Sequence, residues 1–418
     1  VGSHWQIDPL TTATIHEVVQ ERRSLSAYLH IPFCEKKCVY CDFYSIENLS
    51  LRGKFVSLLC EEIRLKFQLE PEVIGRKLQT VFFGGGTPSL LEPAELGRII
   101  EALSRYTPLD EDCEFTLECN PGTITLKKLQ DYRALGVNRL SFGIQSFDQA
   151  ELEWLGRIHN ADQAREAVRL AREAGFENVS IDLIFALPNQ DAATLNRTLD
   201  EAIALQTDHI SAYNLIVEQG TPLFRLVQLN QVIPLDADRA AELFDLTQTR
   251  LSDARFEQYE ISNYAKSPEK RAKHNLVYWD GAKDYISFGP SAHEFVEGVR
   301  SWNVSSLEQY KKMIELGKLP RLESEVITED ERRTEALYLQ LRSTGIDLLR
   351  HASDFDEDLL ANPEVQALIG DGFLEVVDDR LLALTQIGYR FCDGIVLRLL
   401  DRERYTSTFT RKELVEVE

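Results

Sequence analysis

The stretch Ala27-Tyr28-Leu29-His30-Ile31-Pro32-Phe33-Cys34-Glu35-Lys36-Lys37-Cys38-Val39-Tyr40-Cys41-Asp42-Phe43 sets a short apolar run directly against three cysteines. Ala27–Ile31 has the β-branched and aromatic character of a buried strand. The loop that leaves it places Cys34, Cys38 and Cys41 within eight residues, and Glu35, Lys36 and Lys37 make it poor core material. Thiolates are the ligands that iron–sulfur clusters favour, and a tight loop can present three of them to three corners of a 4Fe–4S cube. The fourth iron is then left for an external ligand, such as an amino acid chelating through its amine and carboxylate. Two other readings remain beside this one. Zinc could sit on the three thiolates with His30 as fourth ligand, although structural zinc sites usually draw on two separated ligand pairs. The three cysteines could also be plain core residues. Seven cysteines in all, an odd number, do not suggest a disulfide framework. Cys60, Cys113, Cys119 and Cys392 have no ligand spacing with the loop and read as small buried hydrophobes.

Outward from this loop, short β-rich runs alternate with helical stretches. Strands are expected at Thr80–Phe83, Glu114–Glu118, Arg139–Phe142, Val179–Phe185 and His209–Leu215. Helices are expected near Leu51–Phe67, Thr125–Leu135, Ala161–Ala174 and Ala192–Leu205. Nearly continuous apolar runs suit a parallel sheet covered on both faces. Six β/α units in series predict an α/β fold, a partial (β/α)6 TIM-like barrel, with right-handed crossovers. Phe256–Ile261 is a candidate later strand that would allow a full eight-stranded barrel. The expected organisation is a tail over 1–26, the barrel over 27–262, a connecting region over 263–327 and a smaller, mostly helical domain over 328–418. That last domain has a β pair near Phe373–Val377 and Leu381–Leu384, with Asp378-Asp379 at the turn, and reads as winged-helix-like.

Over 418 residues the composition, 44% hydrophobic and 27% charged, is that of an ordinary globular protein of about two or three domains. Asp and Glu outnumber Lys and Arg by 68 to 46, a net charge of −22, which disfavours a nucleic-acid partner. No apolar run approaches the ~18 residues that span a bilayer, and no signal peptide is evident, so the cytoplasm is the expected compartment. The chain opens Val1-Gly2-Ser3-His4 and its single methionine is Met313, so the start reads as a cloning remnant and His4 carries no functional weight.

Tyr28-Leu-His-Ile-Pro-Phe-Cys34-x3-Cys38-x2-Cys41 resembles the signature of the radical S-adenosylmethionine (SAM) superfamily. The His-Ile-Pro-Phe-Cys form is similar to the branch containing oxygen-independent coproporphyrinogen III oxidase and the HemW-type heme chaperones. The likeness continues through Gly84–Ser89, Glu118–Gly122, Asn138–Phe147, Gly156-Arg157, Ile181–Pro188 and His274–Trp279, and so covers most of the chain. It implies a barrel of the radical SAM type with a HemN-like C-terminal domain, a 4Fe–4S cluster on Cys34, Cys38 and Cys41, and SAM at the open iron. Gly85, Gly86 and Thr87 match the segment that contacts the SAM amine and carboxylate, and no lysine follows them as a nucleotide P-loop would need. Glu118, Gln145, Arg157 and Asp182 align with further cofactor-contacting positions; Arg157 suits the SAM carboxylate and Asp182 a ribose hydroxyl. Tyr28 and Tyr40 would flank the cofactor. Taken singly, each of these polar residues reads better as a plain structural residue such as a solvated strand end, and each tyrosine as packing; their shared placement at strand ends together with the resemblance reverses that.

The two relatives differ just past the third cysteine. The oxidase carries a fourth cysteine two places on, where this chain has Phe43, and nothing ahead of Tyr28 matches the oxidase's substrate-contacting segment. His274-Asn275-Leu-Val-Tyr278-Trp279 matches the motif associated with heme binding in the HemW group. The resemblance therefore implies a heme chaperone, with heme as cargo, hemoprotein acceptors such as membrane-associated respiratory enzymes, and a possible homodimer. His274, Asn275, Tyr278 and Trp279 are the candidate heme contacts, with His293 as rival ligand. The plain alternative is that Tyr278 and Trp279 anchor a core while His274 caps or hydrogen-bonds. Two enzyme readings stand beside the chaperone: conversion of coproporphyrinogen III to protoporphyrinogen IX, and radical SAM chemistry on another substrate.

Overall fold

The computed structural model describes residues 24–400 and divides into two compact units, Leu25–His274 with Tyr285–Glu325, and Asn275–Asp284 with the chain from Val326. The expected tail over 1–26, the cloning remnant and the chain beyond 400 lie outside the described residues, apart from Ser24 to Ser26.

Six parallel strands carry the first unit: β1 (Leu25–Ile31), β2 (Leu78–Gly85), β3 (Leu109–Cys119), β4 (Arg139–Gln145), β5 (Val179–Phe185) and β6 (His209–Asn214). Helices follow between them, and the sequence places their starts well. Thr125 accepts from Lys128 N ahead of the helix Leu126–Ala134, Asn160 and Gln163 form a reciprocal cap on Ala161–Glu173, and Asp191 caps Ala192–Ala204. The long helix Arg52–Leu69 lies between the cysteine loop and β2.

The sheet does not close. Its order is β12-β11-β10-β9-β1-β2-β3-β4-β5-β6-β8-β7, with β12 and β7 at its edges among the described residues. Phe256–Ile261 supplies only β7 (Glu257–Gln258), antiparallel to β8 (Asn263–Ala265), which is itself antiparallel to β6. An eight-stranded barrel completed by that stretch is therefore ruled out, and the barrel is partial. Residues 263–327, expected to connect, instead widen the sheet. β9 (Tyr285–Phe288) pairs parallel with β1, and β10 (His293–Val296), β11 (Val299–Asn303) and β12 (Arg321–Val326) extend from it.

Both faces of the parallel strands are covered, but not alike. Leu25, Ala27, Leu29, Ile31, Val81, Phe83, Phe115, Leu117, Leu140 and Phe142 join the main core against the helices. By the two-residue period of a strand, Tyr28, His30, Thr80, Phe82, Thr116, Glu118, Arg139, Ser141, Ser180, Asp182 and His209 face the other way, into a polar lumen. Because the six strands run parallel, their carboxyl ends form one rim, and the loops leaving that rim carry the site.

The second unit runs helix Glu329–Leu341, β13 (Ile346–Asp347), helices Leu348–Phe355 and Pro363–Gly370, then β14 (Leu374–Val377) and β15 (Leu381–Leu384). The three strands form an antiparallel sheet, β13-β15-β14, in the helix–strand–helix–helix–strand–strand order of a winged helix. Asp378 and Asp379 take φ of +50° and +52°, and Arg380 N donates to Val377 O at 3.0 Å, closing the turn between β14 and β15.

Candidate functional site

The cysteine loop is pinned at its base. Cys34 N donates to Ile46 O at 3.0 Å and Ile46 N to Pro32 O at 2.8 Å, while Gly86 N reaches Ile31 O at 2.9 Å. Within the loop, Cys41 N donates to Cys38 O at 3.3 Å, a turn that gathers the thiols. Cys34 and Cys38 are buried and Cys41 is more open. Burial pushes the Cys41 thiol up to about 11, and the neighbouring Cys38 and Cys34 add to that, so the three sulfurs sense one another. Buried thiols of this kind are stabilised as thiolates by iron rather than by solvent.

The donor set fits a cubane better than a single ion. Among the described residues no three His, Cys, Asp or Glu side chains are grouped to hold one metal ion. His30, the fourth ligand of the zinc reading, is committed elsewhere. Its Nε2 lies 2.8 Å from Tyr44 O and must donate there, leaving Nδ1 to accept from Tyr28 OH at 3.1 Å. Burial holds this neutral imidazole down to about 4.

Beside the loop, the end of β2 approaches β1 so closely that only glycine fits. A Cβ on Gly86 would stand 2.6 Å from Phe33 O and 2.9 Å from Ile31 O; one on Gly85 (φ +107°) would stand 2.5 Å from the His30 ring. Thr87 Oγ1 donates to Cys34 Sγ at 3.6 Å, which ties this strand end to the first thiol. Gly85 N donates to Glu118 Oε2 at 3.1 Å. Burial, then the nearby Asp182, raises the Glu118 carboxyl to about 8. Asp182 is raised by burial and relieved by Ser211 and Ser141, whose Oγ donates at 3.2 Å.

At the end of β4 the strand bulges between Gly143 and Gln145, and Gln145 takes φ of +75°. A non-glycine residue in that region is strained, and strain of this kind concentrates at working sites. Arg157 crosses to the loop: Nη1 donates to Cys38 Sγ at 3.2 Å, Nη2 to Gly143 O at 2.6 Å, and Nε has no partner. Tyr40 is half-buried with its phenol pushed up by desolvation, and Arg157, Cys38 and Cys41 all act on it. The structure therefore gathers Cys34, Cys38, Cys41, Tyr40, Gly85, Gly86, Thr87, Glu118, Gln145, Arg157 and Asp182 along one rim, with Tyr28 beneath. Backbone amides and a guanidinium can donate to an amino acid's carboxylate, and two carboxylates can accept from its amine, around three thiols that would leave a cluster's fourth corner open.

The heme candidates separate. His274 faces the lumen and is 1% exposed, with Nδ1 2.6 Å from Thr80 Oγ1 and its ring stacked 4.9 Å from Phe82. Its backbone N and that of Lys273 donate to Glu114 at 3.0 Å, so Glu114 holds the start of the helix Lys273–Asp280. Burial holds its imidazole down to about 3. His274 is thus hydrogen-bonded and packed, and iron ligation would require that packing to open. Asn275, Tyr278 and Trp279 follow on the same helix, half-buried. His293 starts β10, exposed, with its ring 5.7 Å from Trp302.

Sequence reasoning missed the lumen floor: Thr80, Phe82, Thr116, Arg139 and Ser141. One signal was present, since Arg139 is a charged residue at the head of a buried strand, where charge is rare without a purpose.

The description "Radical SAM superfamily" matches residues 28–202. The Bacillus subtilis heme chaperone HemW is 35% identical over 339 residues, covering 80% of this chain and 88% of that protein. The HemW of Mycobacterium tuberculosis is 34% identical over 375 residues, 89% and 94% of the two chains. A mitochondrial "Radical S-adenosyl methionine domain-containing protein 1" from Mus musculus is 34% identical over 421 residues, 94% and 91%. Among solved structures, the Escherichia coli coproporphyrinogen III oxidase HemN superposes with a TM-score of 0.77 over 94% of each chain at 23% identity, a likeness of fold. A partial parallel barrel with a three-cysteine loop at its rim is the architecture of a radical SAM protein, and the relatives at 34–35% identity, with the family model over residues 28–202, place the chain in that superfamily. Within the superfamily, the chain belongs to the HemW family. Membership implies a 4Fe–4S cluster and SAM.

Proposed function

We propose that this protein is a heme chaperone of the HemW type, which binds a 4Fe–4S cluster, SAM and heme and passes heme to hemoproteins such as membrane-associated respiratory enzymes. The observation that carries the reading is similarity of about a third of positions to relatives named heme chaperone, across most of both chains. Phe43 in place of the oxidase's fourth cysteine supports it.

Cys34, Cys38 and Cys41 are assigned to three irons. A cluster held there would leave its fourth iron to SAM, which would supply the sulfonium on which the superfamily's radical chemistry draws. Around it, the backbone of Gly85 and Gly86 and the Thr87 hydroxyl would line the methionyl group, and Arg157 would take its carboxylate. Glu118 and Gln145 face its polar atoms, Asp182 a ribose hydroxyl, and Tyr28 and Tyr40 enclose it. His293, exposed beside Trp302, is the more accessible imidazole for heme, with His274, Asn275, Tyr278 and Trp279 as the second candidate set. Among the described residues no helix is long and apolar enough to cross a membrane, so membrane acceptors would be met through protein contact.

The test is anaerobic titration of heme into cluster-reconstituted protein, followed at the Soret band, for wild type, His274→Ala and His293→Ala with melting curves in parallel. Near-stoichiometric binding, weakened by one substitution at unchanged Tm, supports the chaperone and locates its ligand. No binding by wild type overturns it. Turnover of coproporphyrinogen III to protoporphyrinogen IX would replace it with the oxidase reading.

A further inference from the structure

The carboxyl end of β4 is braced by two side chains, and only one of them belongs to the site described above. β3 stops pairing with β4 at Phe142, and the bulge leaves Ile144 without a counterpart on β5. Two backbone carbonyls accept from side chains here. Gly143 O accepts from Arg157 Nη2 at 2.6 Å, and Ile144 O from His159 Nε2 at 3.0 Å. A carbonyl can only accept, so Nε2 carries the hydrogen and Nδ1 is bare. Burial and the adjacent Arg157 hold this imidazole down to about 4, which keeps it in the neutral form. His159 is 3% exposed, and its Nδ1 is buried with no partner among the described residues. Burying a bare ring nitrogen is unfavourable, so packing alone does not explain an imidazole at this position.

The segment that carries both side chains is short and fixed at each end. Gly156 closes the helix Gln149–Leu155 at φ +78°, and Arg157 N donates to Leu152 O at 2.9 Å. Asn160 then caps the helix Ala161–Glu173. The segment lies against the cysteine loop, since a Cβ on Gly156 would stand 3.9 Å from Cys38 Cα. A Cβ on Gly143 would stand 3.0 Å from Gln145 Nε2 and 3.3 Å from Arg157 Nη2, so both side chains lie over the bulge. The bulge thus holds Gln145 at φ +75° and supplies the carbonyl that steadies Arg157 while its Nη1 reaches Cys38 Sγ at 3.2 Å. Arg157 has to divide its donors between Gly143 O, the Cys38 sulfur and any ligand at the rim. His159 bonds to backbone alone, and so can hold the bulge while Arg157 is engaged. An N–H donor on a cluster sulfur favours the more negative, reduced state, so its placement tunes the ease of reduction.

We propose that His159 is a positioning residue of the cofactor site: by holding Ile144 O it fixes the β4 bulge, which sets Gln145 toward SAM and Arg157 against the Cys38 sulfur. The inference rests on the cluster and SAM of the reading above and is independent of heme. The test uses the full chain with its cluster reconstituted anaerobically, in wild type, His159→Leu, His159→Gln, Arg157→Gln and the double variant of His159→Leu with Arg157→Gln. Potentiometry followed by EPR reads the cluster, equilibrium dialysis reads SAM affinity, and iron content and Tm are measured in parallel. His159→Leu should keep its iron, bind SAM about tenfold more weakly and reduce at a lower potential, as loss of an outer-shell bond does. His159→Asn, too short to reach Ile144 O, carries the same expectations should His159→Leu not fold. His159→Gln, whose amide can still donate to Ile144 O, should recover most of both losses. The double variant should reduce at the potential of Arg157→Gln alone, because His159 acts on the sulfur through Arg157. Wild-type potential and affinity without the donor would overturn the proposal, and so would additive lowering in the double variant. A lower Tm with iron lost and no recovery in His159→Gln would make His159 a support of the fold alone, which also overturns it. Should wild type hold the cluster and bind no SAM, the SAM assignment fails, while the potentials still decide the role of His159.

Discussion

Gly86 shows how little freedom a single position has at this rim. Its missing Cβ would meet three backbone atoms, Phe33 O, Ile31 O and Phe33 N, within 3.0 Å, and backbone cannot swing aside as a side-chain tip can. Gly86→Ala should therefore part β1 from the end of β2, cost about 1–3 kcal/mol in denaturant unfolding and weaken SAM binding more than iron incorporation. Equal loss of both would mean that the whole loop had collapsed. Glu118 gives a pH prediction with a definite sign. Its folded carboxyl is raised to about 8 from 4.5, by burial first and Asp182 second, and Arg139 opposes them. The neutral form is favoured in the cofactor-free protein, so its stabilising contribution is complete below pH 4.5 and lost as pH rises through 8. The cationic sulfonium that SAM brings favours the carboxylate, so SAM affinity should climb between pH 6 and 8 by up to about tenfold per unit. Glu118→Gln should flatten that climb in equilibrium dialysis, and an unchanged slope would remove Glu118 from the cofactor. The rim was legible in the sequence because its residues come in short, ordered motifs at strand ends. Arg139 was not, because one charge at a strand head has no motif, and only its burial without a partner distinguishes it.

The helix Arg52–Leu69 is where element-scale packing can be tested. Glu62, on its buried side, accepts from Tyr310 OH at 2.5 Å, Gly289 N at 2.7 Å and Asn303 Nδ2 at 2.7 Å, joining the helix to the widened edge of the sheet. One turn further, Lys66 pairs with Glu294 at 2.6 Å and Glu70 at 2.8 Å, and Arg321 reaches both acids. Burial lifts the Glu62 carboxyl from 4.5 to about 7, with Tyr310, Gly289, Asn303 and Lys66 opposing. Its contribution is present below pH 4.5 and lost as pH rises through 7, amounting to about 3 kcal/mol by linkage. Glu62→Gln should flatten stability against pH across that window in urea titrations; an unaltered profile would show that Glu62 is ionised throughout. Lys66→Met leaves Glu294 buried without its main cation and should cost about 3–5 kcal/mol. The six parallel strands were readable because each contains a local apolar run, most of them before a capped helix. β9 was not: it has four residues, and its partner β1 lies far back in the chain, which no local pattern announces. The polar lumen was hidden too, since Tyr28 and Phe82 sustain an apolar appearance on strands whose inward positions otherwise carry Thr, Ser, Glu and Arg.

At the scale of the whole molecule, charge decides how the protein would meet a membrane if it delivers heme as proposed. The chain has 68 acidic and 46 basic side chains, a net −22, and among the described residues no helix could span a bilayer. An anionic membrane surface attracts basic segments and repels a body of this sign. Against that, Phe43, Ile216 and Ile233 are exposed apolar side chains, each more than three-fifths exposed, which a bilayer interface could in principle take up. The two effects differ in their response to salt. Repulsion between separated charges is largely screened beyond about 10 Å at 0.1 M ionic strength and reaches further as salt is removed, whereas apolar insertion is nearly indifferent to salt. Cosedimentation of the cluster-reconstituted protein with protein-free anionic vesicles should therefore be negligible at 0.1 M salt and should not appear at lower salt, with or without bound heme. Neutral vesicles give the control that isolates the apolar side chains. Retention on anionic vesicles would show that the protein docks on lipid unaided, and transfer through an acceptor's own surface would lose its main physical support. Retention only when vesicles contain a hemoprotein acceptor would put recognition in protein–protein contact, where a strongly acidic donor selects for basic patches on its partner.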